Sequence, residues 1–316
     1  MARHWKLILA FASVYLIWGS TYLGIRFAIE TLPPFLMAGT RFIVAGSLLY
    51  GYLRFKKGAP APTRLQWRNM TVVGALLLLG GNGLVTIAEQ HVASGLAALL
   101  ISGTPIWIAV LSWLFFGGLR PAGRLAVGLL GGLIGVILLI GPTDIIQGKG
   151  VDPFGIVLLL MAELCWSFGS LYSRKVDVPK DSLVATGMEM LAGGTLLFIA
   201  GTITGEWGKL DLANVSLKST VALAYLTIFG SLIAYSAYIW LLQATTPARA
   251  TTYAYVNPVV ALFLGWALAD EPLNARTIVA AAIIIASVVM ITTYQAEVSE
   301  KTAVKVPQPL EASTDK

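Results

Sequence analysis

Glu163 lies eleven residues beyond Asp152, in the middle of an otherwise apolar run. A carboxylate at the centre of a membrane helix costs about 2.5–3.5 kcal/mol on insertion scales, so one found there has a partner or a task. Two tasks suit it: carrying a proton, or balancing a cationic group on a bound solute. The plain alternative is a glutamate hydrogen-bonded to neighbouring helices for packing alone. Asn82, within Gly80-Gly81-Asn82-Gly83, and Asn257, directly before Pro258, offer uncharged hydrogen-bonding groups in similar surroundings. Trp18, Trp107, Trp166, Tyr235, Tyr238, Tyr253 and Tyr255 lie deep in apolar runs, where they serve either as flat walls of a pocket or as core packing.

Other charges read as structural. Arg41 and Glu189 fall within apolar runs at opposite depths, so a direct bond between them is not expected and each needs carbonyls or another helix. Arg26, near the end of its run, can snorkel to headgroups. Pro105 and Pro258 interrupt two runs; a mid-span proline frees a carbonyl and bends the helix, which is tolerated where protein or a water-filled cavity satisfies that group. Trp5, Trp67, Trp207 and Tyr294 near run ends read as interface anchors. Gly128, Gly131, Gly132 and Gly135 read as small-residue helix packing.

Signatures of an enzyme are thin. His4 and His91 are too far apart to pair on zinc. No glycine-rich loop ends in Gly-Lys-Ser/Thr. Asp177 and Asp181 have a spacing that could hold magnesium-diphosphate, but they sit among Arg174, Lys175 and Lys180 without a second acidic motif, as a solvated turn would. Neither an enzyme, a metal site nor a cofactor is expected; Glu163 could couple transport to protons, whereas facilitated diffusion needs no titrating group.

The elements that position these residues follow from composition. Hydrophobic residues make up 57% of the 316, charged ones 12%, with a mean hydropathy of +0.77. A soluble globule carries roughly 25% charge, so this exterior faces lipid. Basic residues sit in short loops rather than on one face, which argues against nucleic acid. The lone Cys165 can form no intramolecular disulfide and assigns no compartment. Crossing about 30 Å of hydrocarbon takes roughly 20 apolar residues. Ten runs qualify: 7–29, 35–53, 70–88, 94–116, 123–141, 153–173, 182–203, 219–242, 248–269 and 274–293. The first is too long for a signal-peptide core. With the N-terminus cytoplasmic, 16 of the 22 Lys and Arg fall in cytoplasmic segments, four (Lys149, Lys209, Lys218, Arg276) in outer loops, and Arg26 and Arg41 within spans. Both termini are therefore expected in the cytoplasm.

The chain also repeats. Trp18, Arg26 and Arg41 share the spacing of Trp166, Arg174 and Glu189, at an offset of 148 residues. Gln90, Pro105 and Trp113 share that of Gln243, Pro258 and Trp266, at an offset of 153. Five spans per unit is an odd number, so the second copy enters from the opposite face. Inverted repeats of this kind open alternately around a midplane site.

Several stretches resemble the EamA family of the drug/metabolite transporter superfamily, and within it the bacterial YedA-type exporters: Ile17-Trp18-Gly19-Ser20-Thr21-Tyr22, Ala38-Gly39-Thr40-Arg41-Phe42, Gly81-Asn82-Gly83, Cys165-Trp166-Ser167-Phe168-Gly169-Ser170, Glu189-Met190-Leu191-Ala192-Gly193 and Thr252-Tyr253-Ala254-Tyr255-Val256-Asn257-Pro258. The resemblance implies two EamA units, a cavity lined by the first, third, fourth, sixth, eighth and ninth helices, and efflux of metabolites or amino acids. By position it places Trp18, Thr21, Asn82, Trp107, Glu163, Trp166, Tyr235, Tyr238, Tyr253 and Asn257 at that cavity. One departure stands out: family members often end the fourth helix with Gly-Glu, where this chain has Gly117-Gly118-Leu119 but keeps Asp270-Glu271-Pro272 in the second copy.

The expected fold is all-α and integral to the bacterial inner membrane. Ten transmembrane helices form two inverted five-helix EamA repeats, 7–141 and 153–293, around a central cavity, with a disordered cytoplasmic tail at 294–316. The expected function is transport of small organic metabolites, amino acid-like solutes or drugs, as an exporter by alternating access. A flippase for a lipid-linked or amphipathic substrate is the alternative. The partners are a small-molecule substrate and membrane lipid, not nucleic acid, and a monomer suffices.

Overall fold

A computed structural model describes residues 2–118, 120, 123–140, 152–245, 247–250 and 252–304. Lys149 and the expected tail beyond 304 lie outside these. The described residues form no β-strand. The long helices are α1 (Trp5–Ala28), α2 (Pro34–Lys56), α3 (Arg64–Ala88), α4 (Ser94–Phe115), α5 (Arg124–Ile140), α6 (Pro153–Ser173), α7 (Ser182–Ile203), α8 (Leu217–Ala244), α9 (Tyr253–Ala269) and α10 (Ala275–Val304). Seven of them, α1 to α4 and α6 to α8, are long and apolar enough to cross a membrane. The apolar stretches of the others are shorter, at Arg124–Leu139, Val256–Ala269 and Ala275–Ile291. Large apolar side chains face outward, including Leu9, Leu16, Leu130, Ile134, Ile203 and Phe263. Such a surface belongs in lipid.

Two boundaries differ from the hydropathy reading. The run expected at 248–269 is divided: a short helix, Pro247–Ala250, precedes α9, which starts at Tyr253. The last helix continues to Val304, well past the end of its apolar run at 293, so a tail beginning at 294 starts inside a helix.

Glycines set the closest approaches, as expected where helices meet without a hydrophobic drive between them. A Cβ on Gly46 of α2 would lie 2.9 Å from the Leu191 nitrogen of α7, and one on Gly194 of α7 would lie 2.9 Å from the Ile43 nitrogen of α2. Gly128, Gly131, Gly132 and Gly135 let α5 close in the same way on Ile106, Ile284, Ser287 and Ile291.

Carboxylates from the second half cap helices of the first. Glu206 accepts from the backbone N–H groups of Phe35 (3.2 Å) and Leu36 (2.9 Å) at the start of α2. Glu271 accepts from Ser94 N (2.7 Å), Ser94 Oγ (2.8 Å) and Gly95 N (3.0 Å) at the start of α4. Each satisfies donors that a helix N-terminus leaves orphaned and sets a negative charge at the positive end of its dipole. The Glu271 that the second copy retains is thus a cap.

The repeat-related arginines do equivalent work. Arg26 Nη1 donates to the carbonyl of Glu89 (2.7 Å), just past α3, and Arg174 Nη1 donates to the carbonyl of Leu242 near the end of α8. Glu89 and Leu242 immediately precede the repeat-related Gln90 and Gln243. Arg26 therefore holds a helix end, which the headgroup reading did not anticipate. In the Asp177/Asp181 loop, Asp181 caps α7 through Leu183 N (2.9 Å), and the Asp177 carbonyl accepts from Asn69 Nδ2 (2.9 Å).

Candidate functional site

Three helices change their winding on the way to the centre. π-helical stretches occupy Ser13–Ile17 in α1, Ala75–Gly83 in α3 and Leu226–Tyr235 in α8. A wider turn costs hydrogen-bond quality and re-aims side chains, and such turns gather at functional sites. The first ends just before Trp18, the second encloses Gly81 and Asn82, and the third ends at Tyr235. In α4, Ser102 and Gly103 interrupt the helix, which resumes at Thr104 with Pro105 in its first turn. Pro105 therefore opens a helix, where its missing N–H is harmless, and does not kink one. Pro258 lies inside α9, as the kink reading requires.

These features surround a cavity of about 70 Å³. Its lining comes from α1, α2, α3, α4, α6, α8 and α9. Of the ten residues expected there, Trp18, Thr21, Asn82, Glu163, Trp166, Tyr235 and Tyr253 line it. Tyr22, Arg41, Phe42 and Thr104 are among those that complete it. The first wall is aromatic. Trp18 and Trp166, equivalent in the repeat, meet edge-on with ring centroids 5.5 Å apart, and Tyr253 stands perpendicular to Trp18 at 5.3 Å. A Cβ on Gly81 would lie 2.8 Å from Trp166 Cε3, so that indole needs a glycine opposite it.

Three expected residues stand outside the lining. Trp107 donates its indole N–H to Glu163 Oε2 at 2.8 Å, so it supports the carboxylate from behind. Tyr238 packs against Trp18 (4.9 Å) and Trp166 (5.4 Å), its hydroxyl bonded to Ser170 Oγ at 2.8 Å. Asn257 turns its amide nitrogen to the backbone carbonyls of Tyr15 (2.9 Å), Val14 and Tyr253 (both 3.3 Å). It thereby satisfies the π-helical stretch of α1.

The π-helical stretch of α8 organises the opposite side. Its Gly230 carbonyl accepts from Trp18 Nε1 (3.3 Å), its Ser231 hydroxyl from Arg41 Nε (2.7 Å), and its Tyr235 hydroxyl donates to Glu189 Oε2 (3.0 Å). Arg41 and Glu189 are thus held one turn apart on α8 without touching each other. Arg41 lines the cavity as well, which its reading as a structural charge did not include.

Buried polar atoms in a folded protein are nearly always paired. Among the described residues seven buried side-chain atoms lack a partner, and four of these belong to cavity-lining residues: Arg41 Nη1, Asn82 Oδ1, Glu163 Oε1 and Trp166 Nε1. Two donors and two acceptors thus belong to residues that line one aromatic hole. Aromatic walls with a few polar groups are the general make-up of a ligand pocket.

The model of the EamA-like transporter family matches residues 5–141 and again 153–293. The chain belongs to this family. The inner membrane transporter YedA of Escherichia coli (strain K12) is 41% identical over 90% of this chain and 89% of its own length. The transporter YoaV of Bacillus subtilis (strain 168) is 23% identical over 91% and 97%, and a chloroplastic WAT1-related protein of Arabidopsis thaliana is 26% identical over 88% and 67%. A solved crystal structure superposes with a TM-score of 0.64 at 20% identity, covering 92% of this chain and 98% of its own, which shows the shared fold. An EamA chain built of two matched segments has its cavity walls supplied by both: Trp18, Arg41 and Asn82 from the first, Glu163, Trp166, Tyr235 and Tyr253 from the second.

Proposed function

We propose that this EamA chain is an inner-membrane exporter of small organic metabolites that works by alternating access. Its ten helices cross the membrane as two inverted five-helix repeats, spanning 7–141 and 153–293, with both termini cytoplasmic, the orientation that the Lys and Arg distribution favours. The observation that carries this reading is that four residues with unpartnered buried polar atoms line one aromatic-walled cavity, with walls from both segments. Trp18, Trp166 and Tyr253 take the apolar or planar part of the substrate. Asn82 and Glu163 orient its polar groups, and Glu163 is the group through which protons couple to flux. A cavity of about 70 Å³ is far smaller than the roughly 300–1,000 Å³ that holds drug-sized ligands. That size favours a small solute over the lipid-linked cargo of a flippase.

Metabolites in the medium of cells overproducing the chain test the reading. Overproduction should raise a discrete set of small metabolites. Trp18→Ala and Glu163→Gln should cut their export by roughly tenfold, the effect of about 1.4 kcal/mol. Equal profiles for wild type and both variants, at equal membrane abundance, would remove the cavity from transport. In proteoliposomes a pH gradient should drive those metabolites uphill through the wild type; uphill flux undiminished in Glu163→Gln would strip Glu163 of its proton role.

A further inference from the structure

Among the described residues the lining holds a single cation, Arg41, and its environment is unusual. The side chain is 2% exposed. Ser231 holds Nε at 2.7 Å, and Cζ lies 4.6 Å from the centroid of the Phe42 ring. A Cβ on residue 230 would come within 2.9 Å of Nη2, so Gly230 leaves the space that the guanidinium fills. Nη1 has no partner. No carboxylate among the described residues forms an ion pair with this arginine. Glu189, its counterpart in the repeat, is bound to Tyr235, and the paired oxygen of Glu163 is bound to Trp107.

A buried charge without a counter-ion is expensive, and the protein does not supply one here. The ligand can. A guanidinium fixed by one nitrogen and a ring face presents its remaining N–H groups in a rigid planar fork, the shape that a carboxylate matches.

We propose that Arg41 is the subsite for a carboxylate on the transported solute, so the substrates are small organic carboxylates with an apolar or planar body. The assignment rests on the cavity reading above and sharpens it. One guanidinium balances one negative charge. Among the described residues no lysine or second arginine joins it in the lining, so a phosphate, with its greater charge, is left under-compensated. The body of the solute then lies along Trp18 and Trp166, and any N–H or O–H it carries falls toward Asn82 Oδ1 and Glu163 Oε1.

The test is binding of four probes with one ring and different charges to the purified full-length chain: phenylacetate, phenylacetamide, phenethylamine and phenyl phosphate. Calorimetry or thermal shift reads the affinities. Phenylacetate should bind roughly tenfold or more tightly than the amide, the amine or the phosphate, as a charge-assisted pair confers. Arg41→Gln should level phenylacetate with phenylacetamide. Arg41→Lys keeps the charge and loses the fork, so it should retain the preference at reduced affinity, and it carries the test if Arg41→Gln does not fold. An amide, amine or phosphate that binds as well as phenylacetate overturns the subsite, as does an unchanged preference in Arg41→Gln or no binding of any probe. Amine binding that equals phenylacetate's and is abolished by Trp18→Ala would overturn the carboxylate subsite and leave the cavity standing. Phenylacetate binding indifferent to Trp18→Ala would count against the cavity itself.

Discussion

Trp107 and Glu163 join α4 to α6 beside the cavity through a side-chain hydrogen bond of 2.8 Å. Glu163 is 2% exposed and its other oxygen is unpartnered, so the indole is its principal support. Trp107→Phe keeps most of the volume and removes the donor, stranding both oxygens. A hydrogen bond to a charged group is worth about 1.5–3 kcal/mol, and the loss should appear as a lower melting temperature in detergent. Unchanged melting would mean that Glu163 finds a replacement donor. Much of this site is legible at the level of residue type. Polar and aromatic residues deep in apolar runs pointed to six lining residues, because insertion cost makes such residues conspicuous, and the family resemblance added Thr21. Which indole faces the hole and which backs a carboxylate depends on helix rotation, so Trp107 and Trp18 look alike in sequence. Arg41 reads in the sequence as a structural charge, and its place at the cavity depends on Ser231, 190 residues away.

Single helices were legible to the extent that hydropathy reports length. The breaks inside them were less so. Ser102-Gly103-Thr104-Pro105 holds a helix stop and a proline-led start in four residues, a signal that reads equally as a mid-span kink. The π-helical stretches at Ser13–Ile17, Ala75–Gly83 and Leu226–Tyr235 have no local signature. The first of them is met by a distant group, the Asn257 amide at the Tyr15 carbonyl. The same holds for the caps, in which chain segments far apart in sequence meet. Glu271 accepts three hydrogen bonds at the start of α4, two of them from backbone N–H groups. Glu271→Ala should orphan those donors and cost on the order of 2 kcal/mol, by analogy with lost N-caps and charged hydrogen bonds. Glu271→Gln should recover part of it, because its amide oxygen still accepts. If both variants melt with the wild type, the cap is dispensable and α4 is held by packing against α9.

Across the whole molecule the two halves are joined by glycine-lined contacts of α2 with α7 and α5 with α10, and by the crossing caps. The sequence repeat announced two related units; which ends of them would carry buried charge it could not show. Glu89 is the instructive case. It follows α3 and is fully buried, yet neither carboxylate oxygen has a partner, because Arg26 is committed to the Glu89 carbonyl. Burial pushes this carboxyl well above its ordinary range and nearby Glu271 pushes it further, against a smaller opposing pull from Arg26. The fold therefore binds the Glu89 proton more tightly than the unfolded chain does. Its contribution to stability is complete below the unfolded carboxylate value of about 4.3 and declines as pH rises toward the folded value. Glu89→Gln stays neutral throughout and cannot lose that contribution. Melting curves in detergent, taken across the range from mildly acidic to mildly alkaline pH, should show the variant gaining on the wild type as pH increases. A difference that stays constant with pH would mean that Glu89 is ionised or solvated over the whole range. The connection between α3 and α4 would then be open to water at a point where the fold shows it closed.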